Sequence, residues 1–340
     1  MSPPPPAAQT REHPHADAMS ALAAERPEVV CVTCGPGARA ALDRLGEPPP
    51  QGLIALPEGV EGAVAFCAGL AREGYRPFLH ASAAALARGA YELIATQVAA
   101  PCLPVRLVGL DGGLLHEGGV AGQALEDLGL MCRLPNLVAA EGGDAADLLG
   151  GLRLLDDLSA PVYLRAPARH APELFGDPPR VGTLRALSEG AEVLLVTSGV
   201  CTAEAQRLTA ALKAARVSVT HLHAFVVSGA GPALREALAG GAYKLVVTME
   251  AHLSPGPLAA AAAAVLAEGV DARALPTLVP LSVQQTFAQG GALPYLLRKY
   301  GLDAGALLAA LEAALKRRVG VSAADLPPSP WGRAEGGWPV

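Results

Sequence analysis

The sequence predicts an α/β protein of two doubly wound domains, each a parallel sheet with helices on both faces. Three observations carry this expectation. Short strand-like runs alternate with Ala/Leu-rich stretches of helical period. The alternation breaks at FGDPPRVGTLRALSEGAE (175–192), rich in Pro, Gly and charge, and then resumes as a second series. The length, 340 residues, also suits two domains.

The first series has strands at EVVCVT (28–33), GLIAL (52–56), LPVRLVGL (103–110), NLVAA (136–140) and PVYLR (161–165). Each is short and rich in β-branched residues or Leu, as buried parallel strands are. Helices are expected between them at about 61–73, 85–100, 123–133 and 144–157. The second series has strands at 192–198, 217–225, 243–250 and 272–279, with helices at about 202–215, 257–268 and 303–317. Domain bounds follow at 19–178 and 179–320. Residues 1–18, rich in Pro, Ala and His, read as a disordered tail, and 321–340, with two Trp, as an exposed one.

Half the residues are hydrophobic and only 4% aromatic, so the core is built of small and aliphatic side chains. A net charge of -6 without blocks of like charge argues against nucleic acid as partner. The longest Ala-rich run, around 259–267, is too short for a membrane span. The N-terminus lacks the apolar centre of a signal peptide, so a cytoplasmic protein is expected. Cys31 and Cys34 form a C-x-x-C inside an apolar strand, with no second pair after it. Reduced core cysteines explain them better than a redox pair or half a zinc site.

No Walker A, no G-x-S-x-G, and no G-x-G-x-x-G following a strand occurs. One stretch, ALPEGVEGAVAFCAGLA (55–71), sets Glu58 and Glu61 at the mouth of an apolar helix. As plain helix-start charges they contribute about 0.3–1 kcal/mol.

Several segments together resemble the C-terminal half of transketolase, or the separate small subunit of split transketolases. GLAREGYRPFLHA (69–81), AYELIATQVAAPCLPVRLVG (90–109), QALEDLGLMCRLPNLVAAEGGDAADL (123–148) and SAPVYLRAPAR (159–169) are similar to the family's first portion of that half. VLLVTSGVCTAEA (193–205), LVVTMEAHLSPGPLA (245–259) and LLRKYGLDAGALL (296–308) are similar to its C-terminal domain. The match spans roughly 19–316. It implies a thiamine-diphosphate pyrimidine-binding-like domain followed by a transketolase C-terminal-like domain. It further implies thiamine diphosphate with Mg²⁺ whose ligands lie on a separate diphosphate-binding partner chain, in a homodimer or heterotetramer acting on a small-molecule substrate.

Thiamine chemistry needs a carboxyl group on the pyrimidine nitrogen, which leads to removal of the thiazolium proton. The family register puts Val60 at that position, with Glu61 one residue on and Glu58 two residues early. One residue along a helix turns a side chain by roughly 100°, so Glu61 takes the role only if Gly59 and Gly62 let the entry shift. Where the family stacks an aromatic on the ring, ASAAALARG (81–89) offers Ala85 or Leu86. Two substrate-contacting His of the family align with Asp111 and Gly122, and an Asp repels a sugar phosphate. His116, in GGLLHEGG, stands in the site loop, and Arg169 lies near the family's phosphate-binding Arg. His80, ending a strand, and Arg165, Glu126, Asp127, Glu250 and His252 read as structural.

The function implied is two-carbon, ketol-type transfer by a transketolase-like small subunit, with Glu61 and His116 as its catalytic candidates. The alternative is a catalytically degenerate scaffold or regulatory subunit, because the scaffold motifs are retained while several chemical positions differ.

Overall fold

The computed structural model describes residues 10–35, 38, 42, 53–57, 59–168, 170–269 and 275–332. Two sheets carry the fold. The first has the order β3-β2-β4-β5-β7-β6 and is parallel throughout. Its strands are β2 (Val29–Cys34), β3 (Leu53–Leu56), β4 (Arg76–Ser82), β5 (Arg106–Leu110), β6 (Val138–Glu141) and β7 (Val162–Ala166). The second has the order β13-β12-β10-β11-β9, from β9 (Arg185–Ser188), β10 (Val193–Thr197), β11 (Val219–His223), β12 (Leu245–Leu253) and β13 (Thr277–Val283). Only β9, on the edge, runs antiparallel. Every residue of β2, β5, β7, β10 and β11 is buried, as strands covered by helices on both faces must be.

The covering helices are α1 (Pro14–Glu25), α2 (Val60–Arg72), α3 (Ala145–Asp156), α4 (Cys201–Ala214), α5 (Gly231–Ala239), α6 (Pro257–Gly269), α7 (Leu293–Lys299) and α8 (Ala304–Leu315). In α2 the buried set Val60, Ala63, Val64, Cys67, Ala68 and Ala71 keeps the i, i+3, i+4 spacing of a single apolar stripe. Residues 85–99 hold two π-type segments, Ala85–Gly89 and Ile94–Ala99, separated by a bend at Ala90 and the short helical turn Tyr91–Leu93.

The terminal readings need correction where the structure describes them. Residues 10–18 are not a tail. β1 (Thr10–Glu12) pairs antiparallel with β8 (His170–Pro172), and α1 buries His15, Ala16, Met19 and Leu22. Asp156, ending α3, holds this arm: it pairs with Arg26 and, at 3.0 Å, with Arg76. The C-terminal stretch also docks as far as it is described. The Trp331 indole donates to the Val200 carbonyl at 3.2 Å, and its ring packs on the second core. The C-x-x-C cysteines face opposite sides of β2, Cys31 in one core cluster and Cys34 in another, because three steps along a strand reverse the side. Both are unbridged, and burial pushes the Cys31 thiol up to about 12.

A buried ionic seam joins the sheets. Arg165, from β7, donates to Asp127 at 3.0 Å, to Glu141 at 3.0 Å and to the Ala251 carbonyl of β12 at 3.0 Å. Tyr163 adds its hydroxyl to Asp127 at 2.6 Å, and Ser198 donates to Glu141 at 2.6 Å. His252 accepts from the Gly129 amide at 2.9 Å, while Glu250 accepts from the Leu258 and Ala259 amides at the start of α6. Glu126 pairs with Arg88. His80 adds a hydrogen bond between Nδ1 and the Val32 carbonyl at 3.2 Å, so all six residues read as structural are paired or hydrogen-bonded in the fold.

Candidate active site

In a doubly wound sheet, ligands settle beyond the carboxyl ends of the strands where the strand order reverses. In the first sheet that point lies between β2 and β4, since the chain leaves β2 toward β3 and leaves β4 toward β5. A cavity of about 410 Å³ opens there, lined by Cys34 and Gly35 at the end of β2, Ser82 and Ala85 at and beyond the end of β4, Leu110 and Asp111 at the end of β5, and Ala168 after β7. Gly59, Val60 and Glu61, from the start of α2, and His116 close it. The equivalent crevice of the second sheet, between β10 and β12, is filled from the first domain. Glu141 reaches Ser198 there, and a side chain at Gly199 would stand 2.2 Å from its carboxyl carbon.

The first turn of α2 is set by Gly59, which precedes the helix at φ 114°, a conformation that L side chains rarely adopt. It lets the chain turn sharply into Val60, which is buried, and Glu61, which is exposed on the cavity wall. Gly89 makes room for this turn: a Cβ there would lie 3.1 Å from Val60 Cγ1 and 3.9 Å from Glu61 Oε1. Ser82 then caps the π-type turn that presents Ala85, its hydroxyl accepting the Ala85 amide at 3.2 Å.

The loop after β5 brings the other polar groups. Asp111 adopts a left-handed backbone at φ 51°, and its carboxylate accepts the Ala168 amide at 2.7 Å, tying the ends of β5 and β7 together. Gly112 and Gly113 pass over Asp127 and Arg165 with no room for a Cβ. Leu114 then plugs into the second core, and the chain returns to the cavity at His116.

Five residues singled out in the sequence thus meet in one cavity: Val60, Glu61, Ala85, Asp111 and His116. Leu86 does not join them. It is wholly buried in the first core, one position round the helical turn from Ala85. Gly122 is not a lining residue either; it lies against the His116 imidazole. Glu58 and Arg169 fall outside the described residues. His80 is buried beside His15, ring centroids 5.0 Å apart, and does not line the cavity. Cys34, Ser82, Leu110 and Ala168 were missed in the sequence; only their places at strand ends could have pointed to them.

Among the described residues, no group of three or more His, Cys, Asp or Glu is placed to hold a metal ion. Nor do the described residues lining the cavity include a Lys or Arg. The site offers apolar walls at Val60, Ala85 and Leu110, two carboxylates and one imidazole. Such a set can grip a flat heterocycle and exchange hydrogen bonds with it.

No protein-family model matches the chain. It is 26% identical over 306 residues to a putative uncharacterised transketolase family protein of Sinorhizobium fredii, covering 89% of this chain and 88% of that one. It is 27% identical over 312 residues to a 6-deoxy-6-sulfo-D-fructose transketolase subunit of a Clostridium species, covering 89% and 94%. A putative transketolase C-terminal section of Methanocaldococcus jannaschii is 26% identical over 72% of this chain and 76% of its own length. Among solved structures, a split gene transketolase, described as an inactive beta4 tetramer, superposes with a TM-score of 0.79 at 28% identity. That alignment covers 90% of this chain and 98% of that chain.

Proposed function

We propose that this chain, a transketolase-like small subunit corresponding to the C-terminal half of that family, holds the pyrimidine side of thiamine diphosphate in the cavity at Glu61. A separate chain would hold the diphosphate and Mg²⁺. The observation that carries this reading is the meeting of Val60, Glu61, Ala85, Asp111 and His116 at the switch point of the first sheet. In this reading the anionic end of the cofactor belongs to the partner.

In this reading Val60, Ala85 and Leu110 form the apolar slot for the ring. Glu61, at the open wall, holds a proton against a ring nitrogen. Bound there, thiamine diphosphate would supply the nucleophilic carbon for two-carbon transfer between a ketose and an aldehyde. Asp111 keeps the rim rigid through Ala168. The assembly is proposed as a homodimer of this chain or a heterotetramer with the partner. No helix of the described residues is long and apolar enough to cross a membrane.

The test is titration of thiamine diphosphate and Mg²⁺ into the chain co-purified with a partner bearing a metal-diphosphate motif. Saturable binding is expected, with turnover lost in Glu61→Gln and kept in Glu73→Gln, at the far end of α2. No binding at millimolar cofactor would sink the reading. A non-catalytic scaffold is then favoured, a second reading supported by the absence of a stacking aromatic at Ala85 and by a solved relative described as inactive.

A further inference from the structure

We propose that His116 is the group that contacts substrate in this cavity, held in a slot made by two bare glycines with its Nε2–H as the donor. The inference rests on the cofactor reading above and assigns the substrate-handling residue within it.

The slot is visible in what it forbids. A Cβ at Gly122 would lie 2.2–2.4 Å from Cε1, Nδ1 and Nε2 of the His116 ring, and a Cβ at Gly118 would lie 2.7 Å from Cε1. A Cβ does not come within 3 Å of a non-bonded heavy atom, so the imidazole stands in the volume that a side chain at 122 would fill. Both neighbours must be glycine for the ring to sit there.

The ring's hydrogen bonding is directional. The Gly118 amide donates to His116 Nδ1 at 3.1 Å, so Nδ1 accepts and a neutral ring carries its proton on Nε2. Among the described residues Nε2 has no hydrogen-bond partner in the fold. His116 lines the cavity, so this N–H is the donor available to the carbonyl or hydroxyl oxygen of a polyhydroxy ketone or aldehyde bound there.

The second domain fixes the segment that carries this ring. Leu114, two residues before His116, is buried in the second core. The Gly291 backbone amide donates to the Glu117 carbonyl at 2.8 Å, and the Gln123 side chain donates through Nε2 to the Gln289 backbone carbonyl at 2.9 Å. Gly119 and Gly290 meet so closely that a Cβ on Gly290 would lie 2.6 Å from Glu117 O. A solvated loop histidine needs neither a two-glycine slot nor a clamp from the other domain. A positioned donor needs both.

The experiment uses the full chain with its partner subunit. First, stability is compared for His116→Ala, Gly122→Ala and the double variant. Gly122→Ala alone should lower Tm, and the double variant should recover most of that loss, because the added methyl then enters the emptied slot. Additive Tm changes would overturn the slot. Second, His116→Gln should lower kcat/KM for a ketose donor at least tenfold while the dissociation constant for thiamine diphosphate changes less than twofold. Turnover within twofold of wild type, with cofactor bound, would overturn the assignment alone. A weakened cofactor affinity would do the same, since it makes His116 a cofactor contact. No cofactor binding by the wild-type pair would instead overturn the reading beneath it, and the assignment with it.

Discussion

Arg165 leaves its own sheet to donate from Nη1 to the carbonyl of Ala251 at 3.0 Å and to Glu141 at 3.0 Å, while Asp127 holds its other two nitrogens. The side chain is 1% exposed, so the two domains are joined through one desolvated charge. Removing one partner of such a buried set leaves the others uncompensated, at a cost of about 3–5 kcal/mol.

Arg165→Met should accordingly lower the urea-unfolding free energy by about 3–5 kcal/mol, because Asp127 and Glu141 remain buried and unpaired. Unfolding followed by circular dichroism measures it. A loss below about 1 kcal/mol would show that the seam is solvated and not desolvated as described.

The protein should lose stability in acid through its buried imidazoles. Burial lowers His80 to about 4, lowers His221 to about 3 with help from His223, and lowers His15 well below the ordinary value. Each stays neutral in the fold while the unfolded chain binds a proton near pH 6.5. The sign follows: their contribution is complete above about pH 6.5 and is lost as pH falls toward 4. For His80 alone that loss is on the order of 3 kcal/mol. Burial raises Glu250 to about 7, so it acts oppositely, favouring the fold at low pH and losing that contribution as pH rises from 4.5 to 7. His80→Gln should therefore flatten the fall in stability between pH 6.5 and 4, and Glu250→Gln should steepen it. Urea midpoints across that range decide; parallel curves for all three proteins would refute the assignment.

Trp331 ties the C-terminal stretch to the start of α4 through its bond to Val200. Trp331→Ala should cost about 1–2 kcal/mol, less than a fully buried Trp because this one is half-buried. Thermal melts provide the number. An unchanged Tm would mean that this stretch does not contribute to the fold.

Much of the fold was legible because parallel strands and helices carry local signals. The runs at 28–33, 161–165 and 192–198 became β2, β7 and β10 with ends shifted by a residue, since being buried on both faces demands continuous apolar runs. α1 was not legible: PHADAMSALAAE mixes His and Asp into its pattern, and its buried face exists only because α3 and β2 lie opposite. α7 spans seven residues, too few to display a period. At the site, Glu61 could be singled out because helix starts and family register are read along the chain. That Leu86 drops into the core while Ala85 faces the cavity depends on a π-type turn, which no propensity marks.

The sequence by itself determined the order and kind of elements, the break between the two series, and the resemblance to split transketolase subunits. These follow from periodicity, breaker residues and motif order, all properties of neighbouring positions. Only the tertiary structure decided that the β2/β4 switch point stays open while the β10/β12 crevice is filled by Glu141. Only it showed that Gly122, a missing side chain when read along the chain, is the space in which His116 stands. Both outcomes rest on contacts between residues far apart in the chain or held by another domain, where exclusion of overlapping atoms, not local propensity, is the deciding force.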